Sequence, residues 1–121
     1  MRKVFRLKSF AHALQGMAQL VRTQPNARVH LLATVLVCAA GVYFSLGRME
    51  WLWIIVAIVL VWSAEAFNTA LEELADAVHP EQHAGIGRAK DAAAAAVLIA
   101  ALGAAIIGVL VFLPHLAYMG H

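Results

Sequence analysis

An all-α integral membrane fold is what this sequence predicts, with an N-terminal amphipathic surface helix and three transmembrane helices. Three observations carry that expectation. Hydrophobic residues fill 63% of the 121 positions and charged residues only 13%, whereas a soluble domain carries about a quarter charged residues. The apolar residues collect into three runs, Val29 to Leu46, Trp51 to Ala64 and Ala92 to Phe112. A basic, amphipathic stretch precedes them. A soluble enzyme is thereby excluded, and no nucleic-acid partner is expected.

Each element follows in chain order. Over residues 3–22, Phe10, Leu14, Met17 and Val21 recur at helical spacing. Arg2, Lys3, Arg6, Lys8 and Arg22 supply positive charge, the pattern of a helix lying on an anionic membrane surface. Gln24-Pro25-Asn26 is read as a break that turns the chain into the first span, residues 28–46. That span begins too late for a cleaved signal sequence. It carries Cys38, the sole cysteine, so no intramolecular disulfide is possible and the thiol serves as a small apolar group.

A tight turn, Gly47-Arg48-Met49-Glu50, leads to a second helix over 50–78 that opens with the interface-seeking Trp51 and Trp53. Its final turns project beyond the hydrocarbon. His79-Pro80 ends it, a loop follows over His79 to Gly87, and the third span is placed at 91–113, from Asp91 to near Pro114. Six of the nine Lys and Arg lie before or at the first residue of the first span, Arg88 and Lys90 lie in the long loop, and Arg48 alone lies in the opposite turn. Basic residues favour the inner side. The N-terminus and loop 79–90 are therefore expected in the cytoplasm, in a multi-pass membrane protein. The whole chain, 1–121, reads as one domain, and so thin a bundle is expected to self-associate.

Six of the seven acidic residues fall between Glu65 and Asp91. Glu65, Asn68, Glu72 and Asp76 follow at spacings of three, four and four, which stacks them on one helical face. Acids at membrane depth are costly and mark functional sites. Glu65, the deepest, suits a base that takes a proton from an alcohol; the alternative is a neutral carboxyl or one paired to a neighbouring helix. Asn68 either orients substrate or bridges helices. Glu72, about 10 Å further along the axis, suits Mg²⁺ bound through one carboxylate and the phosphates of a nucleotide. Glu73 points to solvent, and Asp76 is read chiefly as a partner for Arg88 or Lys90. Lys90 offers a point charge to phosphate beside the helix start at Asp91, or simply anchors the helix. His83 in the loop is a weaker candidate, and His115 and His121 fall on the far side without a chemical role. No Walker-type, kinase-loop or zinc pattern is present.

In these residues the chain resembles the prokaryotic diacylglycerol kinase family, the small membrane lipid kinases. The resemblance runs from about Arg6 to Phe112. It rests on Glu65-Ala-Phe-Asn68-Thr69-Ala-Leu-Glu72, then Asp76, Glu81-Gln-His83, Gly87-Arg88-Ala-Lys90-Asp91 and Ala96-Val-Leu-Ile-Ala. Arg28-Val29-His30-Leu-Leu-Ala looks more like the undecaprenol kinase branch. The resemblance implies a homotrimer of three-span subunits that transfers the γ-phosphate of MgATP to the primary hydroxyl of a membrane lipid, undecaprenol or diacylglycerol, at composite sites between subunits. It implies Glu65 as general base with Asn68 beside it, and Glu72 as a metal-binding carboxylate. Glu81, His83, Lys90 and Asp91, with Arg6, Lys8 and His12 of the surface helix, match nucleotide-contacting positions. One departure stands out: the family's second metal-binding glutamate is matched by Gln24, which keeps an oxygen but loses a charge. A lipid phosphate phosphatase on the same scaffold and a non-enzymatic three-helix scaffold or transporter are the alternative readings.

Overall fold

The computed structural model describes residues 2–119, with side chains from Arg6 onward; the expectations for the side chains of Arg2 and Lys3 and for His121 fall outside that range. The described chain is helical throughout: α1 (Arg2–Thr23), α2 (Pro25–Tyr43), α3 (Arg48–Val78) and α4 (Ala84–Met119). The last three are long and apolar enough to cross a membrane. On α1, Leu7, Phe10, Leu14 and Met17 remain exposed while Leu20 is buried. The stripe is thus free to enter a lipid surface, and only the last turns of α1 pack on the bundle.

The break between α1 and α2 is narrower than Gln24-Pro25-Asn26. Only Gln24 leaves the helical conformation, and Pro25 and Asn26 already belong to α2. Proline suits a first helical turn because its missing N–H would have no partner there. The Gln24 N–H still bonds to Leu20 O at 3.0 Å, and Gln24 O accepts from Ala27 and Arg28. Arg28 then clamps the elbow, its guanidinium donating to Val21 O and Arg22 O at the end of α1. Those carbonyls have no helical partner of their own.

The turn from α2 to α3 arrives three residues earlier than expected. Leu46 N–H bonds to Gly41 O and Ser45 N–H to Val42 O, the double bond of a Schellman ending. Ser45 takes the left-handed φ of 54° that this ending requires. Trp51 folds back over α2 rather than facing the interface: a Cβ on Gly41 would lie 2.5 Å from its ring, so only glycine admits that contact. Trp53 stays exposed. Glu50 accepts from Gly47 N–H with one carboxylate oxygen and meets His115 Nε2 at 2.7 Å with the other. His115, expected to be idle, therefore ties the far end of α4 to the start of α3.

α4 is longer than the sequence reading at both ends. It starts at Ala84, because His83 Nδ1 accepts from the N–H groups of Gly85 and Ile86 and caps the helix. Asp91 consequently lies inside the helix, and loop 79–87 shrinks to five residues, 79–83. At the other end the helix passes through Pro114 to Met119, the turn after the proline being held by the Glu50–His115 contact.

α3 is the central helix. It packs most extensively on α4, next on α2, and also touches α1. The core gathers at the end where α2 turns into α3, with Leu46, Ile54 and Val111 buried among Phe44, Trp51 and Phe112. Phe44 and Phe112 hold α2 and α4 together there, with ring centroids 6.0 Å apart. Further inward α2 and α4 both rest on α3 without meeting each other. The space between them is an apolar groove of about 410 Å³.

Candidate active site

The acidic face of α3 emerges as a gradient of burial. Glu65 is only 1% exposed and Asn68 and Thr69 are buried, Glu72 is half-buried, and Glu73 and Asp76 are exposed. The helix carries its polar stripe from the protein interior outward over about 16 Å between Glu65 and Asp76. Glu65 Oε2, Asn68 Oδ1 and Thr69 Oγ1 are buried without a hydrogen-bond partner. Unsatisfied polar atoms in an apolar setting cost several kcal/mol in sum, about 1–3 kcal/mol each. Three such atoms within five residues mark a site that awaits a ligand or a neighbouring chain.

One residue enters the site unannounced by the sequence reading. His30 on α2 brings Nε2 to 3.5 Å from Glu65 Oε2. That distance is within reach of charge interaction, yet the geometry forms no hydrogen bond, and both atoms keep their bonding capacity. Trp62 meets the His30 ring edge-on at 6.4 Å between centroids. Its indole N–H donates to Thr34 Oγ1 at 2.9 Å, and the Thr34 hydroxyl donates to the His30 carbonyl at 2.7 Å. Trp62 of α3 thus packs against the imidazole and is tied through Thr34 to the same turn of α2. His30, Val29, Ala33 and Thr34 also line the mouth of the α2–α4 groove, whose far wall is Ala101, Ala104 and Gly108.

A second, polar cleft of about 560 Å³ lies where α3 ends and α4 begins, and Asp76, His79, Glu81, His83 and Lys90 contribute to its walls. Lys90 Nζ is bonded to Asp76 Oδ1, the pairing the sequence anticipated. His79 and His83 meet edge to face at 5.3 Å, and His79 Nδ1 lies 3.0 Å from Glu81 O. The loop is thereby shaped by its own histidines. With Nδ1 of His83 engaged as an acceptor by the helix, only its Nε2 is free to face a ligand.

The expected site residues therefore divide. Glu65 and Asn68 sit together in the interior, and Glu81, His83 and Lys90 sit together in the cleft. Glu72 lies between the two groups, while Asp91 is exposed on α4 outside the cleft lining. Gln24 is half-buried at the elbow with its side-chain amide against Thr23 Oγ1 at 3.5 Å. Arg6, Lys8 and His12 are exposed along α1. Among the described residues no three His, Cys, Asp or Glu side chains converge as a metal cage. The half-buried carboxylate of Glu72 is of the kind that suits a magnesium ion arriving with its phosphates and taking one or two protein oxygens.

Comparison with known proteins identifies the family. The family model described as prokaryotic diacylglycerol kinase matches residues 11–112. The undecaprenol kinase of Bacillus subtilis is 39% identical over 109 residues, 90% of this chain and 89% of that protein. The diacylglycerol kinase of Synechocystis is 35% identical over 91% of this chain and 63% of its own length. That of Escherichia coli K12 is 34% identical over 70% of this chain and 66% of its own. The matched region takes in both the buried stripe of α3 and the polar cleft at the head of α4, and the chain belongs to the prokaryotic diacylglycerol kinase family of membrane lipid kinases.

Proposed function

We propose that this chain transfers the γ-phosphate of MgATP to the primary hydroxyl of undecaprenol or diacylglycerol, with Glu65 as the general base. The observation that carries the reading is a carboxylate 1% exposed, without a hydrogen-bond partner, and 3.5 Å from His30, which lines the apolar groove between α2 and α4. A lipid alcohol lying in that groove brings its hydroxyl to the carboxylate. The O–H proton passes to Glu65, the alcohol oxygen forms a bond to the γ-phosphorus, the bond from that phosphorus to the β,γ-bridging oxygen breaks, and ADP leaves. Such transfers depend on positioning and charge stabilisation more than on covalent help from the protein. Asn68 steadies the carboxylate or the hydroxyl.

The nucleotide is assigned to the cytoplasmic cleft, where Lys90 donates to phosphate and Glu81 and His83 frame the rest, with Asp91 reaching the nucleotide from outside the lining and Arg6 and His12 of α1 closing from the membrane surface. Glu72 and Gln24 would hold Mg²⁺, which neutralises charge developing on the phosphate oxygens. The span of about 16 Å along α3 between Glu65 and Asp76 favours sites shared between subunits, and a homotrimer supplies them. The basic α1 and the Lys90 cleft lie at the same end of the bundle, which favours a cytoplasmic active face in the inner membrane. Undecaprenol is the preferred lipid on the ground that the 39% identity to the undecaprenol kinase extends over 89% of that protein.

The test is transfer of labelled γ-phosphate from MgATP in mixed micelles, with undecaprenol and diacylglycerol supplied separately. Labelled lipid phosphate that requires both Mg²⁺ and ATP, with the larger kcat/KM for undecaprenol, is the expected result. Phosphate release from a lipid phosphate without ATP, and no labelled lipid, would overturn the reading in favour of a phosphatase.

A further inference from the structure

The four buried polar atoms without partners are not all on α3. His30 Nε2 belongs to α2, and it stands 3.5 Å from Glu65 Oε2 with neither atom hydrogen-bonded. Nothing in the local sequence pattern calls for a histidine there. A structural histidine in an apolar span is expected to satisfy both ring nitrogens, since a buried polar atom left open is a standing cost. This one is instead braced through Trp62 and Thr34, with its Nε2 left open beside an open carboxylate oxygen.

The chemistry of that pair selects its ligand. An anionic group would meet the carboxylate of Glu65 at close range and be repelled, and an apolar group would leave both atoms unsatisfied. A hydroxyl satisfies both, because it donates its hydrogen to the carboxylate and accepts from an imidazole N–H. His30 also lines the apolar groove between α2 and α4, so a hydroxyl placed between His30 and Glu65 continues directly into hydrocarbon space. The ligand class is an amphiphile with a terminal alcohol.

We infer that His30 is the second half of the lipid-alcohol receptor: Nε2–H donates to the substrate oxygen whose hydrogen faces Glu65. It thereby sets the depth and orientation of the attacking oxygen. The inference rests on the reading of Glu65 as the base. Trp62 acts through His30 as a positioning residue, since its indole packs edge-on against the ring and is tied by Thr34 to the His30 carbonyl.

The experiment is steady-state phosphotransfer in mixed micelles by His30→Ala, His30→Gln and Trp62→Phe, with Glu65→Gln alongside and with undecaprenol and MgATP varied in turn. One neutral hydrogen bond to the substrate is worth about a factor of ten. His30→Ala should lower kcat/KM for the lipid by about tenfold and leave the KM for MgATP within about twofold. His30→Gln, which keeps an N–H donor, should recover most of the loss. Should His30→Ala fail to fold, Trp62→Phe, which loosens the ring without removing it, must show a smaller loss confined to the lipid. An unchanged lipid kcat/KM in His30→Ala, equal losses for both substrates, or no recovery in a folded His30→Gln overturns the role of His30. An active Glu65→Gln overturns the base itself, so the two readings fail separately.

Discussion

Glu65 and Asn68 announced themselves because a carboxylate and an amide interrupt an apolar helix where neither aids solubility, and the structure buries both. Asp76 and Lys90 were readable as a pair, since opposite charges flank one short loop. His30 was not readable as a site residue. Its partner lies 35 positions away on another helix, and a single histidine in an apolar run carries no periodic signal. The Asp76–Lys90 pair is half exposed, and exposed ion pairs contribute at most about 1 kcal/mol to stability. Lys90→Met is therefore expected to raise the KM for MgATP severalfold while moving the melting temperature by a few degrees or less, as enzyme kinetics and thermal unfolding would show. At Gln24 the neutral amide leaves the proposed metal site one charge short. Gln24→Glu should lower the Mg²⁺ concentration for half-maximal activity by severalfold, measured by titration at fixed ATP.

At the scale of the elements, the helices themselves were legible and their ends were not. The existence of four helices follows from run length and the amphipathic period, but ends depend on local bonds that composition does not display. Gly85 and Gly87 read as loop residues, yet they begin α4 because the imidazole of His83 takes the place of a usual cap. Pro114 reads as a stop, yet the helix continues because His115 is fastened to Glu50 on α3. The α2 ending shows the reverse case, in which a residue pays in strain for a turn the fold requires. Ser45 holds a left-handed φ of 54°, a conformation that costs a side-chain-bearing residue about 1 kcal/mol or more relative to glycine. Ser45→Gly should stabilise the protein by about 1 kcal/mol, read as an increase in the denaturation midpoint in detergent. Gly41→Ala should act in the opposite direction: its Cβ would meet the Trp51 ring at 2.5 Å, and overpacking of this kind costs about 1–3 kcal/mol.

For the whole molecule, the sequence signalled a membrane bundle but gave no sign of how the spans sit together. That α2 and α4 share α3 while leaving a groove between them depends on side-chain sizes across three helices: Ala33, Ala101, Ala104 and Gly108 leave room where larger residues would close it. The outward faces of α2 and α4 remain rich in exposed Leu, Ile and Val, suited to lipid and to other copies of the chain alike. With the proposed base and the proposed nucleotide cleft set apart in one chain, shared sites make a specific prediction. An inactive Glu65→Gln and a Lys90→Met assayed at MgATP well below its raised KM should together exceed the sum of their separate activities when their subunits are mixed and reassembled, since some sites then combine an intact base with an intact lysine. Absence of recovery from reassembled oligomers would place each site within a single chain.

The central claim is that a buried carboxylate takes the proton of a lipid alcohol, and Glu65→Gln tests it most directly. The substitution keeps the shape of the side chain and its capacity to accept a hydrogen bond but removes the base. Phosphotransfer to undecaprenol should fall by about two to four orders of magnitude, while nucleotide binding, oligomeric state and the melting temperature stay close to those of the unsubstituted protein. Turnover retained within about tenfold of the unsubstituted rate would contradict the account and leave Glu65 a structural acid of the bundle.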